Sequence, residues 1–395
     1  MKKIWLILLC MMCVFAVGCQ KKETMVDSGD ASELNQIVTE NVVSYKDLMD
    51  KWDRKTISEI NFVDSNMQKF NKEYDQKAYV SFNDKDTVTA YLVNTNERNT
   101  IYFVSNGPIK LLSGKALFDD FENCEKINGL EMLDTSDVTD MGYMFNDCKS
   151  LMSLNVTNFD TNKVTYMGSM FKGCKSLASL DVTNFDTGKV TSMIFMFYDC
   201  SGLTSLDVTN FDTSEVTDMA YMFSNCSSLM NLDVINFDTS KVIYMQGMFG
   251  QCTNLTSLDV TNFVTSKVAT MDSMFSLCTS LTNLNLSNFD TSNVEDMHFM
   301  FWFCVNLTSL DVTSFDTSKV TNMENMFSYC RNLTSLDVTK FDTSEVTDMS
   351  SMFSSCESLT NLDVSGFDIS KVTDTDYMFY GCDNLKNVDL SRFNN

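Results

Sequence analysis

Two kinds of side chain that could do chemistry recur at fixed spacings, thiols and carboxylates, and one imidazole stands among them. Cysteines stand at 148, 174, 200, 226, 252, 278, 304, 330, 356 and 382, each 26 residues after the last. A thiol column could close disulfides or hold a soft metal. Both chemistries fit poorly. Eleven cysteines follow Cys19, so an odd number would have to pair, and the repeats hold no CxxC spacing for zinc. Each Cys shares an apolar face with Met and Phe, which reads as a buried ladder of small side chains.

Aspartates form two more columns. One comprises Asp181, Asp207, Asp233, Asp259, Asp311, Asp337 and Asp363, and is expected on the concave strand face. The other follows a Phe, as at Asp186, Asp212 and Asp238. Like charges one strand apart repel by ~1 kcal/mol per pair even in bulk water. Ca²⁺ or a basic partner would relieve this, yet hard cations want about six to eight converging oxygens. No compact Asp-x-Asp-x-Asp loop occurs, and Val264 and Asn285 interrupt the columns. Solvation of the first column and turn bonding by the second need no ion, and no metal is expected. His298 is the only histidine, and no nucleophile stands in a triad-like context beside it. Carboxylate pairs recur in every unit, whereas a catalytic dyad would be unique. No enzymatic activity and no cofactor are expected.

The elements that must hold these columns follow from the same period. Counting from Leu177, a unit reads LASLDVTNFDTGKVTSMIFMFYDCSG, with apolar residues at offsets 0, 3, 5, 8, 13, 16, 19, 20 and 23. Fixed self-similarity at this length is the mark of a solenoid. Leu206 and Val208 alternate as in a strand. Met219, Met222, Phe223, Cys226 and Leu229 step like one face of a helix, with Thr217 as its N-cap. The expectation is an α/β solenoid of 26-residue strand-turn-helix coils sharing a parallel sheet. A lone coil buries nine side chains for roughly 15–25 kcal/mol but orders 26 residues at about 1–2 kcal/mol each, so coils must stack.

Side chains free of the core are those that vary between units. Phe195, Tyr198, Tyr221, His298, Phe299, Trp302, Phe303 and Tyr329 occupy such places, where other units carry Ser, Gly or Asn. Outward aromatics anchor protein interfaces, so these eight are candidate ligand-binding residues. The Ser, Asp and Thr strand face is the competing surface.

The LxxLxLxxF frame, with NFDTSKVTDM and MFxxCxxLTSLDV recurring, resembles the BspA-like family of leucine-rich repeat surface proteins. VTAYLVN at 88–94 and the stretch through DTSDVTDM resemble that family's entry segment. The resemblance covers roughly residues 75–395 and implies a bacterial cell-surface adhesin that binds host proteins or other cells.

The amino terminus reads as a lipoprotein signal: Lys2 and Lys3, the apolar run Ile4–Val17, then Ala16-Val17-Gly18-Cys19. The tetrapeptide resembles a lipobox, which implies lipidation of Cys19 and anchorage by acyl chains. The expected organisation is a signal peptide at 1–18, a tether at 19–30, a small α+β cap at 31–113 and the solenoid at 114–395. Strands are expected at 78–82, 88–93 and 101–105, and a helix over Ser32 to Trp52. The chain carries 53 acidic and 29 basic residues, a net charge of −24. That surplus argues against nucleic acid, whose phosphates need neutralising by Lys and Arg. The expected partners are extracellular proteins or other cells, met by a lipid-anchored monomer displayed outside the cytoplasm. A hydrated envelope spacer is the competing role, and a Ca²⁺-stabilised solenoid the third.

Overall fold

The computed structural model describes residues 42–395 except 69, 83–86, 96–97, 387, 389–390 and 394–395. The signal segment, Cys19, the tether and the start of the expected first helix lie outside the described residues.

A six-stranded mixed sheet comes first. Its strands are β1 (Val42–Ser44), β2 (Ile57–Asp64), β3 (Gln76–Ser81), β4 (Thr87–Asn94), β5 (Asn99–Ser105) and β7 (Lys126–Asn128). The short β6 (Ile109–Lys110) pairs outside it with β8 (Leu133–Asp134). The sheet order is β1-β3-β4-β5-β2-β7, with β3-β4 and β4-β5 antiparallel and the rest parallel. The three expected strands coincide with β3, β4 and β5, whose buried Val80, Val88, Ala90, Ile101 and Phe103 supply the alternation. The helix is shorter than expected. α1 runs only over Tyr45–Lys51, because Val42–Ser44 pair instead with Tyr79–Ser81. Ser44 caps it by accepting the Asp47 amide, and Leu48 and Met49 are its buried pair.

The repeats stack directly on this sheet. Lys126 in β7 bridges Ser153 in parallel, starting the column that includes Ser179–Leu180 (β9) paired with Ser205–Leu206 (β10). A second column of parallel bridges is continuous: Asp140, Tyr166, Ser192, Asp218, Tyr244, Thr270, Asp296, Asn322, Asp348 and Asp374, each 26 residues beyond the last. Successive units therefore lie one on another in register.

The expected helix is not formed. From Met219 to Cys226 the chain runs through overlapping turns, and alternate amides point to different partners. Met219, Tyr221, Phe223 and Asn225 donate to Tyr244, Gln246, Met248 and Gly250 of the next coil. Met222, Ser224 and Cys226 donate three residues back within their own coil. The ladder needs two left-handed residues per coil, such as Tyr221 at φ +55° and Asn225 at φ +59°. A helix would turn its hydrogen bonds back within one coil, whereas the turn ladder sends alternate amides to the neighbour and joins coils on this face too. Thr217 accordingly caps no helix; its hydroxyl donates to the Thr191 carbonyl of the previous coil at 3.2 Å.

Inside, identical side chains stack. Phe118, Phe145, Phe171 and their successors to Phe379 form one file of rings, with centroids 5.2–5.9 Å apart and planes within 15° of parallel. Phe62 meets Phe118 edge-on at 6.1 Å, joining the sheet's core to this file. A second stitch lies in the turn after Phe-Asp. Thr265 is buried; its hydroxyl donates to the Asp290 carbonyl at 2.9 Å and accepts the Asp290 amide at 2.8 Å. The same threonine recurs from Thr135 to Thr343, and Ile369 replaces it in the last full coil. The last ring of the file is covered too. Phe393 is buried edge-on against Phe379, while Arg392 donates to the Ser365 and Phe367 carbonyls.

Candidate functional site

The thiol column is structural. All eleven described cysteines are free, and all but Cys382 are buried. Cys200 donates its thiol to the Phe171 carbonyl of the preceding coil at 3.0 Å, and Cys226 to Phe197 at 3.1 Å. Burial drives these thiols up, to about 12 for Cys252 and about 11 for the half-buried Cys382. Neutral, enclosed thiols are poor nucleophiles and poor metal ligands.

The acidic columns are turn residues. Asp207 accepts both the amide of Thr209, at 3.0 Å, and its hydroxyl, at 2.6 Å. Asp181, Asp259, Asp311 and Asp337 repeat this pair of bonds with the threonine two residues on. Asp233 and Asp363 accept the amides of Ile235 and Ser365. The hydroxyl bonds hold Asp181 and Asp207 below the ordinary carboxylate range. Asn285 breaks the charge yet keeps the bond, accepting the Ser287 amide at 3.1 Å. The column therefore selects a turn-forming side chain rather than a charge. Lysines elsewhere offset part of the field, as Lys241 does with Glu215 at 2.7 Å one coil away. Among the described residues no three His, Cys, Asp or Glu side chains converge as a metal site would require.

The eight candidate ligand-binding residues fall in two clusters on the turn ladder, all half-buried. In the first, Phe195 stacks on Tyr221 at 5.0 Å with planes 3° apart, and Tyr198 meets Phe195 edge-on. The Lys172 ammonium lies 5.6 Å from the Phe195 ring and 5.9 Å from that of Tyr198. In the second, His298, Phe299, Trp302 and Phe303 make a chain of edge contacts at 5.3–5.5 Å. Phe303 then stacks on Tyr329 at 4.5 Å, and Arg331 lies 5.5 Å from that ring. The His298 Nδ1 sits 2.7 Å from the Asp296 Oδ1, and that bond raises the imidazole above its usual value.

Backbone conformation sets these rings apart from ordinary surface aromatics. Phe195, Tyr221, Phe299, Phe303 and Tyr329 all occupy left-handed ladder positions, with φ between +55° and +60°. Equivalent positions elsewhere carry Gly173, Asp199, Asn225, Gly247 and Ser351, residue types that adopt this region at less cost, alongside Tyr143, Gln251, Leu277 and Tyr377. Bulky rings there are a local expense the core does not require.

Sequence reasoning missed the groups between the clusters. Gly247 and Ser273 occupy the ring positions of the two intervening coils. A Cβ on Gly247 would stand 2.3 Å from the Tyr221 ring, so only glycine lets that ring lie where it does. Asp272 is half-buried and accepts the Thr270 hydroxyl at 2.7 Å; burial raises its carboxyl. The Gln246 Oε1 is enclosed without a hydrogen-bond donor. A glycine standing where neighbouring units carry rings was the signal available. A surface cavity of about 590 Å³ lies apart at the last coil, lined by Leu362, Asp363, Val364, Lys386 and Arg392.

No curated protein and no solved structure matches the chain. One family model matches three times in tandem, over residues 115–206, 201–309 and 303–395, and so covers the repeats from end to end. With most of its length matched, the chain belongs to the family described as Mycoplasma protein of unknown function, DUF285.

Proposed function

We propose that the protein is a lipid-anchored surface adhesin, held by Cys19 and binding other proteins or cells non-covalently through the turn-ladder face of its repeats. In this reading the array is a BspA-like leucine-rich repeat solenoid of 26-residue coils, built with turns in place of helices. One observation carries the binding role: half-buried rings stack on one another in two clusters at left-handed backbone positions, whereas Tyr143 and Tyr377, at the same kind of position, stand exposed outside them. The core columns do not vary in this way. Aromatic anchors of this kind concentrate binding energy. The second reading, a hydrated envelope spacer, draws on the strand face, whose carboxylates are already occupied by their own turns.

The test compares the full chain with the double variant Trp302→Ser and Phe303→Ser in binding to host matrix proteins and to cells. Ser328 and Ser355 already occupy the equivalent places, so the variant is expected to keep its melting temperature within a few degrees. Binding should fall at least about tenfold, the effect of losing one hot-spot residue. Undiminished binding, or no binding by the parent chain to any surface offered, favours the spacer.

A further inference from the structure

The turn-ladder face is complementary to itself in reverse order. The rings of the first cluster belong to the coils beginning at Leu177 and Leu203, and those of the second to the coils beginning at Leu281 and Leu307. Two coils, beginning at Leu229 and Leu255, separate them, so the rings are placed evenly about the junction of those two. A two-fold axis laid across the face at this junction turns a second copy over. It reverses the coil order and keeps each column on its own line. The coil of Leu203 then meets that of Leu281, and the coil of Leu177 meets that of Leu307.

What meets across this axis fits. Trp302 faces Ser224 and Tyr198 faces Ser328, and both serines lie buried, so large rings come down on recessed small residues. Phe303 faces Asn225, and Tyr221 faces Phe299. Beside the axis itself stands Tyr244, 45% exposed in the column of bridges where the ladder begins. Further out the same rule sets Lys175 against Glu357 and Lys149 against Asp383. Lys175 already pairs with Asp199 at 2.7 Å, and Glu357 with Arg331 at 3.2 Å, so a second copy extends these pairs into networks. Like charges meet only in the bridge column at the margin, Asp218 with Asp296 and Asp140 with Asp374. There His298 already holds Asp296. Parallel pairing would instead bring the acidic downstream ends together, with Glu357, Asp376 and Asp383 on both sides.

We infer that two copies of the chain pair antiparallel through the turn-ladder face, in place of the monomer expected from sequence. The inference rests on the binding role proposed above and names its partner as a second copy. Antiparallel order sets the two amino-terminal sheets at opposite ends, so copies held by Cys19 pair from two facing surfaces.

The experiment is sedimentation equilibrium of the full chain across a range of concentrations. The parent chain should dimerise. Lys175→Glu and Glu357→Lys each put like charges at two contacts per dimer, by symmetry, and should each weaken pairing at least about tenfold. Both side chains are exposed, so melting temperatures should stay within a few degrees of the parent's. Mixed in equal amounts, the two variants should dimerise again, because a mixed pair rebuilds one contact with its charges exchanged and keeps the other native. Phe299→Asn, which places there the residue Asn325 carries at the same ladder position, should weaken pairing about tenfold. Asp207→Asn removes a charge from the strand face and keeps its turn bond, as Asn285 does, and should change nothing. A mixture no more dimeric than its separate components would overturn the antiparallel axis. Equal weakening by Asp207→Asn would overturn the face. A parent chain that stays monomeric overturns the pairing, and if it still binds matrix proteins through Trp302 and Phe303 the adhesin reading stands without it.

Discussion

His298 shows how far single residues could be read ahead. Its outward place in the repeat was legible, but not its bond to Asp296, which lies in the parallel bridge column two residues before it. Asp296 in its own coil acts on it most strongly, through that bond, and Asp272 and Glu324 add to it from the two neighbouring coils; all three favour the imidazolium. Its folded pKa is therefore above the ordinary value of about 6.5. The stability it contributes is fully present below that value and lost as pH rises through the folded one. An NMR titration should give a midpoint above 6.5, brought down by Asp296→Asn; a midpoint at or below 6.5 in the parent chain would contradict the geometry. The Cys and Phe columns were legible because the same side chain returns every 26 residues. The left-handed positions were not, since Met219, Met222, Phe223 and Cys226 follow the same steps as a helix face. The clue lay in their neighbours: Gly173, Asp199 and Asn225 at one ladder position, Gly247 and Asn325 at the other. Residue types that tolerate a positive φ, recurring at fixed places, point to turns.

At the scale of the element, the coil is held less by its own hydrogen bonds than by those it shares. The threonine after Phe-Asp carries this more plainly than the strand, which is reduced to isolated bridges and pairs of two residues. From sequence that threonine was legible as a turn residue only, because a polar side chain buried between coils has no periodic signature. Thr265→Val keeps the shape and removes both bonds to Asp290, leaving its amide and carbonyl without that partner. The cost should be about 1–3 kcal/mol. Because each coil contacts only its neighbours, the loss is felt at one junction. A urea melt should shift to lower midpoint and separate into two phases as the array parts there. A single transition at the parent midpoint would mean the threonine column is ornamental.

For the molecule as a whole, the two ends differ from the middle. Three strands of the sheet of β1–β5 and β7 were legible. The downstream closure was not, because a final Arg-Phe pair is too short to carry a pattern. Phe393→Ala should remove the edge-on ring that ends the phenylalanine file, at up to about 3 kcal/mol. Hydrogen exchange should then show faster opening confined to the last coils, from about Cys356 onward, with the first coils unchanged; uniform loss of protection would show that the ends are coupled. The free thiols have a consequence at this scale too. Eleven of them are kept apart from oxidants only by the packing around them. In an oxidising medium a chain that opens, even briefly, offers many wrong pairings, and each one that forms bars the way back. Survival there is governed by how seldom the array opens, not by how favourably it closes.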